Sequence, residues 1–278
     1  MTIKTKLIAS LLCAAALFGA APASAQDHGS TPPFDQQTWS FAGPFGTYDV
    51  TQLQRGFQVY REVCSSCHGA RLIAFRNLSE DGGPGFSEDQ VKALAAQYTI
   101  TDPEAAAGTR PGVAADRWPS PFANEQEARD ANGGALPPDF SVLAKARGIT
   151  QPFPFWIFNY FTAYSEGGAD YVYNLLHGYH EEAPEGFELA EGKYYNDYFP
   201  GHAIGMAPPL ADGLVDYPEG VPETLDQYSK DVAAFMYWMA DPHLVARKET
   251  GFRVILFLVV LAGLLWFVKR RIWRNVEH

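Results

Sequence analysis

The clearest periodicity in the chain lies over residues 225–240, where Leu225, Tyr228, Val232, Phe235, Met236 and Met239 recur at three- and four-residue intervals as one apolar helix face. Thr224 and Gln227 ahead of it have the spacing of a capping box, and Asp241-Pro242 predicts its end or a kink. Residues 51–69 repeat the pattern through Phe57, Tyr60, Val63 or Cys64, and Cys67. Weaker helical patterns cover residues 87–97, 125–131, 140–147 and 170–178. The stretches 102–121, 131–139 and 199–222 between them are rich in proline and glycine and read as loops. No internal repeat is visible. The fold class predicted is mainly α, with long loop insertions, in one domain of roughly 220 residues.

Three further apolar runs fall outside that domain pattern. Lys4 and Lys6 precede an apolar run from Leu7 to Ala20, and Ala23-Ser24-Ala25 follows as a cleavage site, so residues 1–25 read as an export signal. Near the other end, residues 252–268 are apolar apart from Arg253, and Lys269, Arg270, Arg271 and Arg274 follow at once. Such a basic end is retained on the cytoplasmic side, so residues 248–268 read as a single transmembrane anchor and 269–278 as a short inner tail. Trp266 and Trp273 suit a headgroup belt. Residues 26–247 then form a periplasmic domain held on the cytoplasmic membrane. The third run, the aromatic cluster Phe153 to Phe161, is too short and proline-flanked to span; it fits a buried loop or a patch against lipid or a partner subunit.

Charge sharpens this division. The chain carries a net charge of -11, but residues 26–246 hold 12 Lys plus Arg against 30 Asp plus Glu, a net of -18. That field repels nucleic acid and favours a basic partner. Its densest stretch is Glu181, Glu182, Glu185, Glu188 and Glu191, a pattern that solvated surface loops also show.

Candidate chemistry concentrates in Cys64-Ser65-Ser66-Cys67-His68. A C-x-x-C-H run is the acceptor for a covalently attached c-type haem: two thiols bond the vinyl groups and the following imidazole ligates the iron. Cys64 stands three residues from Cys67 and four from His68, so one helical turn presents all three groups to one ring. Once Cys13 leaves with the signal segment, these are the only cysteines. Zinc would need a second pair, and a thioredoxin-type site would need strands that the flanks do not show. The second axial position decides between electron transfer and an open, reactive iron. Met206, in the stiff run Gly205-Met206-Ala207-Pro208-Pro209, is the favoured ligand because a thioether suits a high-potential haem. Met236 and Met239 lie on the core stripe, and His202 is the strongest of the histidine rivals, which also include His177, His180 and His243.

The chain resembles the cytochrome c1 family, the haem subunit of the quinol:cytochrome c oxidoreductase, or cytochrome bc1 complex. The resemblance runs through Arg55-Gly56-Phe57-Gln58-Val59-Tyr60, the pentapeptide, residues 131–139, residues 198–209 and the Ala246-Arg247-Lys248 approach to the anchor. It implies one haem c, with thioethers to Cys64 and Cys67, axial ligands His68 and Met206, and Arg129 paired with a haem propionate. It also implies cytochrome b and Rieske iron-sulfur subunits as partners, and transfer of one electron from the Rieske protein to a basic cytochrome c. On that reading the chain is no enzyme by itself. Many bacterial members carry a disulfide near the methionine loop, for which this chain has no cysteines. A stand-alone anchored cytochrome serving another oxidase or reductase, and a haem-based sensor or peroxidase-like enzyme, are the alternatives. Carbon monoxide binding to the reduced protein separates the last from a Met-ligated haem.

Overall fold

The computed structural model describes residues 34–147 and 167–275. The signal segment and the aromatic cluster 153–161 lie outside the described residues, as do the last three residues of the tail. Among the described residues the protein is mostly helical, as the sequence pattern predicts, with two small two-stranded sheets.

Helix α1 spans Val50–Glu62 and starts where the Asp49 carboxylate accepts from the Thr51 and Gln52 amides at 2.8 and 3.1 Å. The helix predicted over 51–69 stops short of the pentapeptide. Cys64–Ser66 is instead a 3-10 turn, in which Ser65 and Ser66 hydroxyls donate back to the Arg61 and Val63 carbonyls. Such back-bonding competes with helix continuation. A second 3-10 turn, Phe75–Ser79, leads to α2, Glu88–Ala95, opened by a reciprocal Ser87/Gln90 capping box. Strands β1 (Thr99–Thr101) and β2 (Thr109–Pro111) pair antiparallel. Helix α3, Glu125–Ala131, is capped by Asn124, and α4 is only Leu143–Ala146. Its predicted first turn is absent because residues 139–141 bond to another segment. Helix α5 covers Gly167–His177, and Tyr194–Tyr195 (β3) pairs with Ala203–Ile204 (β4).

Helix α6, Leu225–Ala240, organises the core. Thr224 caps it by accepting from the Gln227 amide at 3.3 Å, but the Gln227 side chain turns to Asp231 instead of closing the box. Every residue from Tyr228 to Met239 except Lys230 is buried, more than the predicted stripe, because α1, α4 and α5 pack around it. The α1 crossing is closest at Gly56. A Cβ placed there would meet the Asp231 carbonyl oxygen at 2.0 Å and the Phe235 Cβ at 2.7 Å. Beside it, Arg55 grips the fully buried Asp231 carboxylate through two bonds of 2.8 and 3.0 Å. Phe57, Tyr60 and Phe235 continue the contact into the rings of Trp118, Phe75 and Phe140. After Asp241-Pro242 interrupts the chain, α7 runs over Leu244–Trp273, 30 residues with an apolar window none of which is buried. At about 1.5 Å per residue it is long enough to cross a bilayer.

Candidate functional site

The pentapeptide is mounted directly on the core. Backbone bonds from Cys67 N (3.1 Å) and His68 N (2.9 Å) to the Cys64 carbonyl close the turn, so one loop of chain still gathers the three groups although α1 has ended. The Tyr60 hydroxyl, on the last full turn of α1, donates to the His68 carbonyl at 3.2 Å. Both thiols are free of each other and part-exposed. Desolvation where Cys64 packs against the core, with the neighbouring Cys67 second, pushes its thiol up to about 12. That is the reverse of the lowered thiol of a dithiol redox catalyst.

His68 is 8% exposed, and its Nδ1 lies 2.8 Å from the Pro138 carbonyl oxygen. A carbonyl only accepts, so Nδ1 carries the hydrogen and Nε2 presents its lone pair. The Phe140 ring stacks on the imidazole at 4.1 Å and 22°. Burial lowers the imidazole's proton affinity, partly offset by the Pro138 bond and Asp139, which favours the neutral, ligating form. The rest of this segment is clipped to the chain after His68. Phe140 N donates to Gly69 O at 2.8 Å, Arg71 N to Asp139 Oδ2 at 2.9 Å, and Leu72 N to Ser141 Oγ at 3.0 Å.

Met206 lies just beyond β4, in non-helical chain and half-buried. The β3–β4 hairpin that carries it is knotted around Asn196, which is fully buried. The Asn196 side chain accepts from Tyr198 N and Phe199 N at 3.0 and 3.1 Å and donates to the Leu175 carbonyl of α5 at 2.8 Å, while its own amide donates to His202 O. His202 turns the chain with a φ of 57°, rare outside glycine, and stacks on Tyr195 at 5.6 Å. The hairpin then meets the segment that holds His68: a Cβ at Gly205 would lie 2.8 Å from the Ala135 Cβ. Residues 131–139 therefore touch both arms of the site, through Pro138 and Ala135.

The other sequence candidates are placed as follows. Met236 and Met239 are buried in the core cluster. His177 Nδ1 bonds its own helix at Tyr173 O (2.9 Å), His180 pairs with Asp197 at 2.6 Å, and His243 sits exposed before α7. Arg129, in the last turn of α3, is exposed and donates to Gly134 O at 3.2 Å, with no carboxylate of the described residues in ion-pair range. Pro138, Phe140 and Asn196 join the site without any motif in the sequence that marks them as such. Pro138 acts through a backbone oxygen, which no side-chain pattern advertises, and Asn196 reads in sequence as an ordinary turn residue.

Two adjacent thiols, a neutral imidazole with its Nε2 side available, and a thioether on an arm held against the same segment form a donor set suited to a c-type haem.

Comparison with known proteins gives the same picture. Residues 39–276 match the model of the Cytochrome C1 family. A cytochrome c1 of Blastochloris viridis is 50% identical across 100% of this chain and 99% of its own length. The cytochrome b/c1 of Bradyrhizobium diazoefficiens is 53% identical over 96% of this chain, which spans only 39% of that longer protein. The mitochondrial cytochrome c1 haem protein of Saccharomyces cerevisiae is 38% identical over 91% of this chain and 76% of its own.

Proposed function

The chain belongs to the cytochrome c1 family, the haem subunit of the bc1 complex, and from that premise we propose that it takes one electron from a Rieske iron-sulfur protein and delivers it to a basic cytochrome c. The haem, when bound, supplies the one-electron iron couple. Cys64 and Cys67 would hold it by thioethers, His68 Nε2 and the Met206 sulfur would ligate the iron, and Arg129 would offset the charge of a propionate. Pro138 fixes the tautomer of His68 by accepting from Nδ1, which holds the ring's orientation with Nε2 turned to the ligand side. Asn196 does for the methionine arm what a disulfide does in relatives that have one.

The observation that supports this reading most is the shared segment 131–139. An arm carrying an imidazole and an arm carrying a thioether, 138 residues apart in the chain, are braced against one strut. That arrangement suits a closed, six-coordinate iron, which exchanges electrons rather than binding substrate. The signal segment 1–25 is removed, α7 anchors the protein in the cytoplasmic membrane, and the acidic domain 26–247 faces the periplasm, where a cationic carrier is steered toward it.

Mild detergent extraction followed by identification of bound subunits tests the assignment. Cytochrome b and a Rieske protein are expected to co-purify in fixed proportion. A haem-loaded chain that purifies without either, under conditions that keep a known complex intact, would identify a stand-alone carrier instead.

A further inference from the structure

The most exposed large apolar side chain among the described residues is Phe45, at 76%. It tops a loop whose base is held on every side. Thr47 N donates to Ser40 O at 3.0 Å and Ala42 N to Trp39 O at 3.1 Å. Phe41, fully buried one turn below the tip, stacks on Tyr237 at 4.9 Å and lies 5.1 Å from Tyr48. Trp39 donates its indole hydrogen to Asp170 at 2.8 Å, and Lys248 Nζ donates to Phe41 O at 2.6 Å, tying the loop to the first turns of α7. The Phe45 ring is thereby brought to 5.7 Å from Phe252, edge to face.

Phe252 is the first residue of the apolar run that ends at Val268, and it is itself 54% exposed. Those 17 residues rise only about 26 Å, short of a hydrocarbon core of about 30 Å. With the basic cluster at Lys269 fixing the inner boundary, a full core reaches back toward Glu249, and the charged Arg253 draws the headgroup layer in to the same turn, so Phe252 sits at the outer edge of the hydrocarbon. A ring touching Phe252 is at that depth too. The loop is chemically fitted to it: residues 36–48 contain no charged side chain, in a domain that otherwise carries -18. A loop so held exposes the Phe45 ring to water at a cost, and the same ring is favoured where it can sink to the boundary between headgroups and acyl chains.

We propose that the loop over residues 39–48 is a second membrane contact, with Phe45 seated in the outer interfacial layer of the bilayer beside α7. Its occupant is lipid, and the contact fixes how the acidic domain stands over the surface. The proposal rests on the anchor reading of α7, and the test separates the two. Phe45→Cys and Val260→Cys are spin-labelled in the mature, haem-loaded full chain, reconstituted in phosphatidylcholine/phosphatidylglycerol vesicles. Relative accessibility to oxygen and to a water-soluble nickel chelate is then calibrated against labelled lipids. Position 260 is expected near the bilayer centre, and position 45 is expected at headgroup depth, with a severalfold higher oxygen-to-nickel ratio than a label in water. An aqueous position 45 beside a deep position 260 overturns the membrane contact alone. An aqueous position 260 overturns both readings. Shielding of position 45 from oxygen and nickel together would mean that protein covers it, and would also overturn the lipid assignment.

Discussion

Replacing Gly56 with alanine inverts an ordinary rule. At an unremarkable helix-interior position, Gly→Ala stabilises by about 1 kcal/mol, because the added Cβ lowers the entropy of the unfolded chain. At Gly56 that Cβ would stand 2.0 Å from the Asp231 carbonyl oxygen and 2.7 Å from the Phe235 Cβ. Carbon and oxygen in ordinary contact stay about 3.4 Å apart, so α1 and α6 must separate by more than about 1 Å at their crossing. Backbone on both sides leaves no flexible side chain to yield. Overpacking of a tight core costs about 1–3 kcal/mol and sometimes more. The buried Arg55–Asp231 bonds lie in the same crossing and are stretched by the same movement, which puts this site at the upper end. Net of the propensity gain, Gly56→Ala is expected to destabilise by about 2 kcal/mol, a fall of about 4–8 °C in Tm for a domain of this size. Thermal unfolding followed by far-ultraviolet circular dichroism in detergent measures it, with Gly251→Ala, which meets nothing within 4 Å, as the control. If Gly56→Ala melts at or above the temperature of the unaltered protein, the close crossing is not a feature of the folded state.

Asn196→Ala is expected to loosen the methionine arm without touching the sulfur: covalent haem is retained, while the reduced protein gains carbon monoxide binding and its midpoint potential falls, as it should for Met206→Leu. A carbon monoxide-inert Asn196→Ala protein of unchanged potential would show the arm to be held elsewhere. Arg55→Met leaves the buried Asp231 carboxylate without its cation, with the neutral Gln227 amide still bonded to it, and is expected to cost about 3 kcal/mol or more in urea denaturation, most of it recovered in Arg55→Met/Asp231→Leu; equal losses in the single and double variants would contradict this. Arg110 holds the Asp116 carboxyl down at about 2 through bonds of 2.6 and 2.8 Å, with a further bond from Val113 N. Because the folded value lies below the unfolded one, its contribution is present above about pH 4 and vanishes as pH falls through 2. Stability of Asp116→Asn should therefore lie below that of the unaltered protein at pH 7 and converge with it near pH 2, as acid-unfolding curves can establish.

What was legible in the chain was what neighbouring residues settle between themselves. The thiols and imidazole of the pentapeptide, the cap and apolar face of α6, and the basic end of α7 are all written within a few residues. The C-terminal limit of α1 was not, because it depends on two serine hydroxyls choosing backbone carbonyls over water. Neither was the shortness of α4, whose predicted first turn is drawn off to residues 69–72. The strands are too short, at two or three residues, to show alternation. The two struts of the site are long-range by nature: Pro138 lies 70 residues from His68, and the bond from Asn196 to Leu175 crosses 21. The family resemblance flagged residues 131–139 as a motif without revealing that one end braces an imidazole and the middle braces the opposite arm.

The bond from His68 to Pro138 also has a bearing on time. A loop of 70 residues must close before the imidazole has its partner, whereas the two thiols and the ring are neighbours as soon as the chain is made. A chain still being made thus displays Cys64, Cys67 and His68 together early, and the preference for Nε2 arises only once Pro138, 70 residues further on, is in place. The tautomer lock therefore requires a far longer stretch of ordered chain than the gathering of the two thiols and the ring does.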